Sequence, residues 1–63
     1  MQYRDLYRRA KRLIDEYGAD AAAHARMQAD LMLEQGDMEA FAQWKRLASV
    51  ILEIRTLEGR TEH

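Results

Sequence analysis

Gly18 and Gly36 divide a chain without proline or cysteine into three helix-length pieces. Each glycine closes an apolar stripe of helical period, and an aspartate, Asp20 or Asp37, follows within two residues. Glycine reaches φ > 0 without steric cost and so ends helices; aspartate accepts from the open N–H groups that begin them. The chain is therefore predicted to be all-α: a three-helix antiparallel bundle with helices over about 2–17, 20–35 and 37–57, the third longest and central. Very short turns favour antiparallel neighbours. Residues 1–63 read as one small domain, with 58–63 expected to fray because they carry no apolar period.

Tyr3, Leu6, Tyr7, Ala10, Leu13, Ile14 and Tyr17 form one narrow stripe on helix 1, and everything else there is polar apart from the capping glycine. Helix 2 carries Ala21, Ala22, Ala25, Ala29, Met32 and Leu33 on one face, small enough for close helix approach. Its other side is not purely polar, since Ala23, Met27 and Leu31 recur at i+4 beside His24. Helix 3 has two apolar seams: Phe41, Trp44, Ala48 and Ile51, and then Ala40, Leu47, Val50, Ile54 and Leu57. A helix with two seams needs two neighbours. Helix 2 can cover one; helix 1 or a second copy of the chain must cover the other.

Size makes that question pressing. A chain of 63 residues buries only about 60% of the surface its unfolded form exposes, and such a core supplies roughly 3–5 kcal/mol without a staple. Ten of the thirty apolar residues are alanine, so the core is thinner than composition suggests. There is no cysteine for a disulfide, and no His–carboxylate cluster with metal-ligand spacing. Oligomerisation is the staple to expect, with a homodimer as the leading partner state and another protein as the alternative.

Ten cations against eleven anions give a net charge of −1, so no global field pulls the chain toward nucleic acid or membrane. No apolar run approaches the ~20 residues that span a bilayer. The arginine-rich N-terminal third lacks the apolar core of a signal peptide, and a cytoplasmic location is expected.

Four features of the sequence are candidate sites. Arg4, Arg8, Lys11 and Arg12 line one side of helix 1 and could track phosphates. Asp5, Asp15 and Glu16 lie at i, i+4 spacing from Arg9, Lys11 and Arg12, which favours a solvated face over a nucleic-acid surface. Charge is nonetheless polarised: helix 1 has five cations against three anions, whereas residues 20–39 have five anions against Arg26 alone. Such a dipole suits self-association. His24 with Asp20 at i−4 could begin a metal site, but no further ligands follow, so it reads as a surface or interface histidine. Trp44 with Phe41 reads first as core and second as a partner anchor. The Ala23–Met27–Leu31 strip reads slightly better as a contact surface than as scattered apolar exposure.

No catalytic constellation emerges: there is no cysteine nucleophile, no Gly-x-Ser-x-Gly turn, and the lone Ser49 has no histidine at helical spacing. A bundle this small is also expected to lack a pocket of the usual ~300–1,000 Å³. The expectation is a non-enzymatic interaction module with no cofactor and no small-molecule substrate. Its candidate interface residues are Met27, Leu31, Trp44, Leu47 and Ile54.

Gly36-Asp37 between two helices, followed by Ala48, superficially resembles a tetratricopeptide repeat. Phe41 stands where that repeat takes a small residue, and no second 34-residue unit follows. Closer is a resemblance carried by Tyr7-Arg8-Arg9-Ala10-Lys11-Arg12-Leu13-Ile14, Tyr17-Gly18-Ala19-Asp20-Ala21, His24-Ala25, Ala29-Asp30, Leu33-Glu34-Gln35-Gly36-Asp37 and Trp44-Lys45-Arg46. In these stretches the chain is similar to a group of short, uncharacterised alphaproteobacterial helical proteins. The resemblance implies a bacterial cytoplasmic protein and assigns no activity. Phe41 departs from the small residue such proteins tend to carry there.

Overall fold

The computed structural model describes the backbone of residues 3–60 and the side chains of residues 3–57. The described chain is all-helical: α1 is Tyr3–Tyr17, a 3-10 corner spans Gly18–Asp20, α2 is Ala21–Glu34, and α3 is Met38–Arg60. The class is as expected, but the count is corrected. Residues 3–34 form one unbroken helical run bent at the corner, so there are two helical runs rather than three separately looped helices of a bundle. The reason lies in Gly18. Its φ of +57° turns the chain, yet the Ala21 N–H donates to the Gly18 carbonyl, so helical bonding resumes without a loop.

The two glycine junctions differ. At Gly36 (φ +80°) the Asp37 N–H donates to the Met32 carbonyl at 2.9 Å and the Gly36 N–H to the Leu33 carbonyl at 3.0 Å. This pairing is the Schellman closure that consumes the last carbonyls of a helix. Asp37 then caps α3, its Oδ1 accepting from the Ala40 N–H at 3.1 Å. Asp20 was expected to cap α2 in the same way and does not. Its backbone sits at φ −90°, ψ 1° within the corner, and its carboxylate makes no cap bond. An N-cap needs extended backbone to swing its side chain over the first turn. The corner is tied instead by Arg55, whose Nη1 donates to the Ala19 carbonyl at 3.1 Å from α3.

The core joins Leu6 and Ala10 of α1, Ala21, Ala22 and Ala25 of α2, and Leu47, Ala48, Val50, Ile51 and Ile54 of α3. Leu13, Ile14 and Trp44 pack against it. The alanine face of α2 meets α3 as its small residues allow. Leu47, Val50 and Ile54 of the second seam of α3 are buried within the chain, whereas Leu57 at its end is 59% exposed. This corrects two expected interface residues: Leu47 (0% exposed) and Ile54 (3%) are interior. Leu33, placed on the packed face from its spacing, is exposed, because it falls at the edge of the alanine arc.

The long axis is 43 Å, mostly the length of α3, which at 1.5 Å per residue runs about 35 Å. α3 extends three residues past the expected end at Leu57. Glu58 and Arg60 are good helix formers, and Gly59 between them costs only about 1 kcal/mol. The expected frayed tail is thus helical through Arg60; its remainder, 61–63, lies outside the described residues, as does a helix start at Gln2.

Candidate functional site

The corner brings together side chains that are distant in sequence. Tyr17 stacks on His24, ring centroids 4.2 Å apart and planes 17° from parallel. His24 meets Trp44 edge-on at 6.2 Å. On Trp44 the Arg9 guanidinium carbon lies 5.9 Å from the ring centroid, a cation–π distance. His24, expected as a surface or interface histidine, is a half-buried member of an aromatic column joining α1, α2 and α3. Trp44 is half-buried too and packs against the core. Phe41 lies under the Lys45 ammonium at 5.8 Å.

A groove of about 470 Å³ opens between the start of α1 and the second half of α3. Tyr3, Tyr7, Leu52 and Leu57 supply its apolar walls, and Ser49, Glu53 and Thr56 its polar ones. The expectation that so small a chain holds no such volume is corrected: α1 does not lie flush along α3, and the tyrosine rings, 6.3 Å apart, stand over the gap. Tyr3 and Tyr7 belong to the apolar stripe of α1, yet they are 59% and 43% exposed. Their residue type was the available signal. A tyrosine carries a polar tip that favours half-buried positions, unlike the leucine and isoleucine further along the stripe. Leu52 falls off both α3 seams, and nothing local marks it.

The candidate strip on α2 remains outside. Met27 is 60% exposed and Leu31 41%. By helical spacing Asp20, Asp30 and Glu34 border it. Of the basic face, Arg4, Arg8 and Arg12 are exposed and Lys11 is half-buried. None of these four lines the groove, whose charged wall is Glu53.

Among the described residues no group of three or more His, Cys, Asp or Glu could hold a metal ion. No helix among them is long and apolar enough to cross a membrane. No protein-family model, curated protein or solved structure matches the chain.

Proposed function

We propose that this protein is a small non-enzymatic interaction module that associates with itself, in a bacterial cytoplasmic setting as the resemblance noted above implies. The observation that carries the reading is the amount of large apolar surface left on a chain of 63 residues: Tyr3, Tyr7, Leu52 and Leu57 on one side, Met27 and Leu31 on another. Six buried residues of its core are alanine (Ala10, Ala21, Ala22, Ala25, Ala29 and Ala48), so the interior offers little driving force in reserve. Covering the outer residues on association adds what the interior lacks. The test is solution mass by light scattering across a tenfold range of concentration. A mass above that of one chain, lost in a Met27→Asp, Leu31→Asp variant that stays helical, supports the module. One chain's mass throughout removes it.

A second reading, a nucleic-acid-associated regulator using Arg4, Arg8, Lys11 and Arg12, is favoured only by the exposure of the three arginines. Phosphate binding would be strongest at low salt. Failure to retard duplex DNA or RNA at about 50 mM salt eliminates it.

A further inference from the structure

We propose that the groove between α1 and α3 binds a small organic cation, an alkylated ammonium held by the Tyr3 and Tyr7 rings and the Glu53 carboxylate. Association through Met27 and Leu31 on α2 leaves this groove open, so the two readings stand or fall separately.

Charge sets the sign of the ligand. Among the described residues that line the groove, Glu53 alone is charged; Ser49 and Thr56 add neutral hydroxyls. Arg55, the cation nearest to Glu53 along α3, is committed elsewhere, its Nη1 donating to the Ala19 carbonyl at 3.1 Å. Arg4 and Arg8 follow the two tyrosines by one position, about 100° round α1, and do not line the groove. An anion would therefore meet a like charge. A neutral apolar ligand would strip water from the carboxylate without giving it a partner. The α2 strip of a second copy is disfavoured on the first ground, because Asp30 and Glu34 border it.

The walls favour an organic cation over a metal ion. Calcium and magnesium take about six or more oxygen ligands, and the groove offers one carboxylate. Tyr3 and Tyr7 stand one helical turn apart, their centroids separated by 6.3 Å, and both are exposed, so ring surface is left for a ligand. Aromatic faces attract cations through the ring quadrupole, and quaternary ammonium groups are ligands that such rings recognise. On α3, Glu53 lies beside Leu52 in sequence and one turn before Leu57, both exposed. A cationic head near Glu53 thus places its apolar tail against leucine, where burial is favourable. The volume of about 470 Å³ suits a small ligand.

The test titrates the full chain with hexyltrimethylammonium and follows the tyrosine ring resonances by NMR. Those of Tyr3 and Tyr7 should shift and saturate at about 10 mM or below, the affinity within reach of so small a ligand. Tyr17, stacked on His24 outside the groove, should not move. Hexanol and hexanoate share the tail and should bind at least about fivefold more weakly. Glu53→Gln and Tyr7→Leu, each checked for helicity by circular dichroism, should weaken binding about two- to fivefold. Glu39→Gln, at the other end of α3, should leave it unchanged. No saturable shift, hexanol binding as tightly as the ammonium, or a Glu53→Gln chain that binds like the parent overturns the site. Tyr3 and Tyr7 shifts that follow protein concentration, and that the ammonium does not reverse, would place a second copy in the groove and overturn it equally.

Discussion

Asp37 and Asp20 follow their glycines at almost the same distance, yet only one caps a helix. The Asp37 carboxylate accepts from the Ala40 N–H, and the Asp37 carbonyl from the Phe41 N–H at 3.0 Å, so one residue receives two N–H groups at the start of α3. Asp20 lies inside a 3-10 turn and caps nothing. Asp37→Ala should therefore cost about 1 kcal/mol. For a domain of this size that is a fall in Tm of roughly 4–8 °C. Asp20→Ala should stay within about 0.5 kcal/mol of the parent, as exposed positions do. Thermal melts followed by circular dichroism at one fixed protein concentration separate the two. Equal losses would mean that Asp20 caps α2 after all.

At the scale of the elements, α3 is the template on which both arms of the bent run pack. Leu47 and Ile51 are its fully buried large side chains. Leu47→Ala should cost about 2–5 kcal/mol, the usual range for such a deletion. That is the size of the whole stability expected of a core this small, roughly 3–5 kcal/mol. The variant should be largely unfolded at 25 °C, with far-UV circular dichroism of a disordered chain. Met27→Ala, on an exposed face, should leave the dilute chain folded. A folded but dissociated Leu47→Ala protein would return Leu47 to the interface. The aromatic column and the Arg55–Ala19 bond act at this scale as well. They fix how the corner sits on α3, and Trp44, the single tryptophan, reports on it by fluorescence.

For the whole molecule, marginal stability and association are one problem. Anything that binds the folded chain and not the unfolded one raises Tm with concentration. On the self-association reading, Tm should climb by several degrees over a hundredfold rise in protein concentration, about 2.7 kcal/mol of linkage at most when ligand reaches 100 Kd. The Met27→Asp, Leu31→Asp variant should melt at a constant temperature. A parent Tm independent of concentration would assign all of its stability to the single chain.

Much of this was written locally in the residues. Gly36 with Asp37 determined the second junction, because a helix stop and the following cap are decided by backbone groups within five residues. The alanine face of α2 and the two seams of α3 followed from period alone, since side chains three and four apart must share a face. Period states that a face needs covering and is silent on what covers it. Only the tertiary structure decided that Leu47 and Ile54 are buried within the chain, Ile54 at the floor of the groove. It alone decided that Gly18 makes a bend rather than a break, that His24 stacks on Tyr17, and that Tyr3, Tyr7 and Leu52 wall a groove. Each of these depends on contacts between residues dozens of positions apart in sequence, such as Arg9 with Trp44 and Arg55 with Ala19, which local period does not encode.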